Sequence, residues 1–105
     1  MSAVSKARLE RMRKANDLMH KIAGKGEIKP KEYRKLQQLR TTIEPAVVDP
    51  TLGPLAVSYL ATIDMLIRGI NLLAEGKTAE AEALGDEFAE SCVNLSDQIR
   101  KFEGR

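Results

Sequence analysis

The chain has 105 residues and a net charge of +2, with 43% hydrophobic residues, two tyrosines, two phenylalanines and no tryptophan. This length allows one domain with one core, and the hydrophobic content excludes a compositionally disordered chain. Cys92 is the single cysteine, which excludes an intrachain disulfide, and the first residues lack the apolar stretch of a signal peptide, so we expect a cytoplasmic protein.

Residues 3–23 are predicted to form a first, amphipathic helix. Its apolar residues recur at spacings of three and four positions, with lysine and arginine between them. The expected buried stripe is Leu9, Met12, Ala15, Met19 and Ile22. Gly24 and Gly26 are expected to end this helix, because glycine favours helix C-termini.

A second helix is predicted over residues 30–43. Pro30 fits the first turn of a helix, where its missing N–H is no loss, and Glu32 lies near the positive end of the helix dipole. The expected buried side is Tyr33, Leu36, Leu39 and Ile43. Residues 44–52 are predicted to be an extended connector, because Glu44 and Asp49 each precede a proline and that position disfavours the α conformation.

The third helix, over residues 53–75, is the most apolar element, since 14 of the 20 residues from Leu55 to Ala74 are apolar. Asp64 and Arg68 lie within it, and each charge would cost about 2.5 to 3.5 kcal/mol near a bilayer centre, so no membrane span is expected. These two charges are four positions apart and able to pair. A strip of small residues would let another helix approach closely, from this chain or from a partner. The strip consists of Ser58, Thr62 and Gly69.

A fourth helix is predicted over residues 78–102, because Gly76 favours the end of one helix and Thr78 the start of the next. Its expected inward residues are Ala81, Leu84, Phe88, Cys92, Leu95, Ile99 and Phe102. The predicted fold class is therefore all-α, a single domain built as a small four-helix bundle of two helical hairpins joined by the Pro-bounded connector.

Two stretches of the sequence match part of a known binding motif but lack residues that the motif requires. The stretch from Gly26 to Glu32 follows the second half of an EF-hand loop, with Glu32 in the place of the bidentate carboxylate. Lys21, Ala23 and Lys25 stand where the first half requires oxygen ligands. The sequence Gly-Lys-Thr at residues 76–78 matches the end of a phosphate-binding P-loop, but the first required glycine is absent and a helix precedes the turn.

The sequence offers no catalytic constellation. His20 is the single histidine and is expected to be an exposed helical residue, and Cys92 is expected to be an inert core thiol. Neither a Cys–His pair nor a Glu-x-x-His metal pattern can be drawn. We therefore expect no enzyme activity, cofactor, metal site or small-molecule substrate.

Charge is divided between the two halves of the chain. Residues 1–44 carry 12 Lys/Arg against 5 Asp/Glu, whereas residues 45–105 carry 5 against 10. Such a division fits a basic surface for nucleic acid or anionic lipid, attraction between halves packed in one chain, or head-to-tail assembly of chains. It also fits solvated helix faces without a partner.

The leading hypothesis is a small protein-binding module, such as a regulator, adaptor or chaperone-like protein, that acts through a helical or dimeric interface. A helix as apolar as the third is hard to cover in so short a chain, so a homodimer is expected. The predicted interface residues are Leu55, Tyr59, Ile63, Leu66 and Ile70.

The alternative is a nucleic-acid-binding protein whose basic, helix-turn-helix-like N-terminal half contacts phosphates. The same basic side chains would steer an acidic protein partner. The predicted contacts are Arg11, Arg13, Lys14, Lys31, Arg34, Lys35 and Arg40.

Overall fold

The computed structural model describes residues 3–103. Four α-helices follow one another along this part of the chain, with a short 3-10 helix between the second and the third. Their bounds are α1 Ala3–Lys25, α2 Pro30–Ile43, the 3-10 helix Glu44–Val48, α3 Gly53–Ala74 and α4 Thr78–Glu103. No strand occurs within the described residues. The predicted all-α bundle is confirmed, and each helix begins and ends close to its predicted bounds.

The hairpin of α1 and α2 closes through a glycine turn and a lysine–glutamate pair. Gly26 adopts a φ of 69°, and its N–H donates to the carbonyl oxygen of Ile22 at 3.1 Å. Glu32, in the first turn of α2, accepts hydrogen bonds from Lys25 Nζ at 2.7 Å and from the N–H of Lys29 at 3.2 Å. The bond from Lys25 is the main cause that lowers the pKa of Glu32. Glu32, the EF-hand-like carboxylate, thus holds a turn together.

The prediction of an extended connector over residues 44–52 is wrong for its first part. Glu44 has φ −50° and ψ −44° and continues the helical path of α2, with its N–H bonded to the carbonyl oxygen of Arg40. The chain then forms the 3-10 helix, which buries Ala46 completely. Tertiary burial has overridden the preference of a pre-proline residue for extended backbone. Asp49, which precedes Pro50, does adopt the expected extended conformation, with φ −68° and ψ 126°.

Asp49 joins the start of α1 to the start of α3. Its Oδ1 accepts hydrogen bonds from the N–H groups of Thr51 at 2.8 Å and Leu52 at 3.0 Å. Its Oδ2 accepts from Ser5 Oγ at 3.0 Å and Arg8 Nη1 at 3.1 Å. The N–H groups of Leu52 and Thr51, followed by Ser5 and Arg8, lower the pKa of Asp49 to about 2. One carboxylate therefore caps a turn and anchors a helix 44 residues earlier in the chain.

The 3-10 helix packs against the first turn of α3 at Gly53. A Cβ atom placed on Gly53 would lie 2.7 Å from the backbone oxygen of Val47. This distance is too short for a nonbonded contact between carbon and oxygen, so the backbone would have to shift. A residue with a side chain here would push the two helices apart. The smallest residue is thus required where the connector enters α3.

The core lies around α3, which contacts α1, α2, α4 and the 3-10 helix. The predicted stripe of α1 is buried throughout, and in α4 only Leu84 and Phe102 of the predicted inward residues are half-buried. The fully buried large side chains are Tyr59, Met12, Met19, Ile22, Leu36, Ile43, Leu52, Leu55, Ile63, Leu95, Thr62 and Cys92. The helical periodicity therefore identified the core faces of α1 and α4 correctly.

Two details of the helices differ from the prediction. Tyr33 is 41% exposed, because it lies in the first turn of α2, where the hairpin turn leaves it at the surface; Leu36 and Ile43 form the buried side of this helix. Asp64 does not use Arg68 but accepts two hydrogen bonds from Arg40, at 3.1 Å from Nε and 3.3 Å from Nη2. A planar guanidinium from a neighbouring helix satisfies both carboxylate oxygens at once.

Replacement of Asp49 by asparagine is expected to flatten the dependence of stability on pH. The pKa of Asp49 is about 2 in the folded chain against an ordinary value of 3.8. The stability it contributes is thus fully present above about pH 5 and is lost as the pH falls through about 4 towards 2. Thermal unfolding followed by circular dichroism across this range should show a steeper acid loss for the wild type than for Asp49→Asn.

Asp97→Asn is the matched control, because the pair of Asp97 with Arg100 is exposed on one helix. This variant should keep the acid slope of the wild type. An Asp49→Asn protein with the same slope as the wild type would show that the Asp49 contacts do not form.

Candidate functional site

The predicted interface residues divide into two groups in the structure. Leu55, Tyr59 and Ile63 are completely enclosed by the chain itself, so a partner would reach them only if the bundle opened. Leu66 and Ile70 line an apolar groove at the end of the bundle. The apolar face of α3 is thus mainly a core face, and the part of it that stays within reach of a partner is its C-terminal half.

The groove has a volume of about 400 Å³ and is formed by three helices. Its floor comes from the second half of α3, one wall from the first half of α4, and the other wall from the end of α1. The lining residues include Leu66, Ile70, Leu73, Gly85, Ala89 and His20. Apolar side chains therefore surround a space that the described residues leave open.

Small residues shape the α4 wall. Ala81, Gly85 and Ala89 recur every four positions and so lie on one face of α4. Gly85 is exposed, and a Cβ atom added to it would meet nothing within 4 Å. At the two ends of the groove, Leu73 is 42% and Val93 is 60% exposed. These features expose apolar surface along the channel.

The polar side chains of the lining are His20 and Cys92. Cys92 is buried, and its burial raises the pKa of the thiol to about 11. A protonated buried thiol is a poor nucleophile and a poor metal ligand. His20 is exposed on α1, as predicted, but the sequence did not predict that it faces this groove. The lining of the groove therefore offers mainly apolar contact.

The predicted nucleic-acid contacts lie on the surface of the other hairpin. Arg11, Lys14, Lys31, Arg34 and Lys35 are exposed. Two further members of the predicted set are engaged by carboxylates: Arg13 lies 3.5 Å from Glu10 and Arg40 binds Asp64 at 3.1 Å. Six of the seven basic residues are therefore exposed, Arg13 among them, and Arg40 is half-buried.

The other patterns in the sequence have structural explanations in the described part of the chain. Within residues 3–103, no group of three or more His, Cys, Asp and Glu side chains is arranged to hold a metal ion. Lys77, from the P-loop-like stretch, lies 3.5 Å from Glu75 in the turn between α3 and α4. By length and hydropathy α3 resembles a membrane span, a test that the core helix of a water-soluble protein also passes.

The small-residue strip of α3 serves contact within the chain. Thr62 is buried, and Gly69 lies in the interface with α4, where an added Cβ would be 3.9 Å from Leu84 Cδ2. The close approach that the strip was predicted to allow is therefore made by α4 of the same chain.

The groove itself was not predicted. Its signal in the sequence is the four-residue spacing of Ala81, Gly85 and Ala89 beside the apolar end of α3. That spacing can be recognised as one wall of a groove only after the end of α1 is known to lie opposite.

Comparisons with known proteins add no family to this description. No protein-family model matches the chain, and neither a curated protein nor a solved structure shows significant similarity to it.

Paired truncations should separate core from groove. Ile63→Ala is expected to lower the free energy of unfolding by about 2 to 5 kcal/mol, because it opens a cavity in a packed interior. Leu73→Ala should stay within about 1 kcal/mol of the wild type, because Leu73 is partly in water. Urea unfolding measures both. Similar losses for the two variants would mean that Leu73 is as enclosed as Ile63.

Proposed function

We propose that this protein is a protein-binding module that holds an apolar helix of its partner in the groove between α1, α3 and α4. The observation that carries the proposal is the groove itself, an unfilled apolar channel of about 400 Å³ with exposed leucine and valine at its ends. Grooves of this kind take the apolar face of an amphipathic helix in many recognition domains.

The shape of the groove favours a helix over a small molecule. Its α4 wall runs from Ala81 to Val93, which corresponds to about 18 Å or three helical turns. Glycine and alanine along this wall let a helix backbone come close. Pockets for small molecules place several polar groups around the ligand to fix its orientation, whereas this lining offers His20 and a protonated thiol.

The homodimer predicted from sequence is a special case of this proposal, in which the occupant comes from a second copy. That prediction rested on the apolar surplus of α3, of which Leu55, Ala56, Tyr59, Ile63 and Leu66 are buried within the bundle. Part of the remaining apolar surface of α3 lines the groove, and Val57 is exposed outside it. Light scattering would reveal a dimer, and a dimer that depends on the groove would support self-association.

Filling the groove at Gly85 should weaken peptide binding without harming the fold. Gly85→Leu places a side chain in the channel and replaces glycine in a helix, which adds about 0.5 to 1 kcal/mol of stability. Gly85→Ala gives a similar gain but leaves the channel open. The probe is a displayed library of helical peptides of about 18 residues, with leucine, isoleucine, phenylalanine or methionine at i, i+3, i+4 and i+7.

Peptides selected on the wild type should bind Gly85→Ala with similar affinity and Gly85→Leu at least about tenfold more weakly, which corresponds to 1.4 kcal/mol. Equal binding to both variants would place the peptide elsewhere. Failure to select any peptide would argue against a helix-binding groove.

Nucleic-acid binding is the second candidate, supported by the position of the basic residues. Arg11 and Lys14 lie three positions apart on α1, and Lys31, Arg34 and Lys35 share one face of α2. All five are exposed, and α1 packs against α2. These five residues therefore give the hairpin a basic surface, and none of them lines the groove.

If all five basic side chains contact phosphates, duplex affinity should fall about 500-fold between 50 and 200 mM salt. Arg34→Ala should weaken binding and reduce the salt slope by about one unit. Lys77→Ala, at the opposite hairpin, is the control and should leave the slope unchanged. Fluorescence anisotropy of a labelled duplex measures these slopes, and absence of binding at low salt would exclude this function.

A further inference from the structure

We propose that the helix received by the groove is basic, with lysine or arginine along the edge that faces α4. This inference rests on the proposed function and specifies the chemistry of the partner. It is argued from the charges on the rim of the groove.

The rim on α4 is acidic. Glu82, Asp86 and Glu90 each follow one of the small residues of the α4 wall, so they lie about 100° further around the helix. All three are exposed. Residues 78–99 contain six Asp/Glu and no Lys or Arg. A row of negative charge therefore runs beside the apolar channel from Glu82 to Glu90.

The helix dipole does not account for this row. Acidic residues stabilise a helix when they lie in its first turn, and the effect fades beyond that turn. Glu80 meets this condition in α4, which begins at Thr78. Asp86 and Glu90 lie more than one turn further along the helix and gain little from its dipole.

The other sides of the groove do not balance the row. The α1 wall contributes His20, Ala23 and Gly26 to the lining. The charge of Lys25, at the end of α1, is engaged by Glu32 at 2.7 Å, which leaves exposed Lys21 beside His20. The lining residues of α3 are apolar or glycine.

The geometry defines the occupant. An apolar stripe at i, i+3, i+4 and i+7 would face Leu66, Ile70 and Leu73 on the floor. Basic residues about one quarter-turn from that stripe would then reach Glu82 and Asp86. Long lysine and arginine side chains suit such a rim, because their stems cover apolar surface while their charges stay in water.

A second copy of this chain is a poorer match. The large apolar residues that are exposed outside the groove are Val4, Tyr33, Val47, Val48 and Val57. They are spread over α1, α2, the 3-10 helix and α3, and they form no stripe at helical spacing. With its helices packed as described, residues 3–103 present no amphipathic helix to another groove.

The test repeats the library selection with lysine, glutamate and glutamine allowed at every position outside the apolar stripe. We expect lysine to be enriched over glutamate at the positions flanking the stripe on one side. The best selected peptide is then measured on a rim variant that carries Glu82→Gln, Asp86→Asn and Glu90→Gln. Loss of three partly exposed ion pairs should weaken binding about tenfold, and thermal unfolding should show that the variant folds.

The control variant carries Glu80→Gln and Glu87→Gln. These residues border the opposite side of α4, next to Arg68 and Leu72, so this variant should bind the peptide like the wild type. The control variant removes two negative charges, whereas the rim variant removes three. If both variants lost the same affinity for the peptide, the effect would come from net charge, and the inference would be overturned.

The outcomes distinguish this inference from the proposed function. Peptides that bind through the groove without lysine enrichment would overturn the basic partner and leave the helix-binding module intact. A dimer that Gly85→Leu dissolves would overturn the basic partner in favour of a second copy. If no peptide is selected, the inference and the proposed function both fail. They also fail if the groove binds only a small apolar dye, whose binding Gly85→Leu blocks.

Discussion

The arrangement of the bundle depends on the carboxylate of Asp49. It stands between two proline-containing segments, where the chain must turn from the first hairpin into the second. By accepting from two backbone N–H groups at the start of α3 and from Ser5 and Arg8 on α1, it fixes how the hairpins lie against each other. Gly53 makes the same junction tight by allowing the 3-10 helix to touch α3.

From this junction the helices run towards the opposite end of the bundle, where the groove forms. The end of α1 reaches the groove at His20, Ala23 and Gly26 and stops at Lys25. The apolar positions of α3 beyond Leu66 therefore have partners in α4 but incomplete cover from α1. The groove is thus a consequence of helix length and register, and the junction that sets the register lies far from it in sequence and in space.

The helical periodicity of the sequence predicts those features of the fold that depend on contacts between neighbouring turns of one helix. It identified the helices, the buried stripes of α1 and α4, and the core role of Cys92. It missed what depends on long-range contacts, such as the pair of Arg40 with Asp64, 24 residues apart, and the helical start of the connector. It also could not foresee that the hydroxyl of Tyr59 is buried without a hydrogen-bond partner within the described residues. Apolar spacing explains why that residue faces inward and says nothing about its polar atom.

The basic and acidic halves of the sequence form different surfaces of the folded chain. Arg8 with Asp49 and Arg40 with Asp64 are ion pairs that join the basic half to the acidic half, so attraction within the chain accounts for part of the asymmetry. The exposed remainder forms a basic face on α1 and α2 and an acidic face on α4. The acidic face borders the apolar channel with Glu82, Asp86 and Glu90 of α4, whereas the end of α1 brings exposed Lys21 beside it. A partner held by apolar burial would therefore meet the negative surface, which is the physical reason for preferring a basic helix to an acidic one.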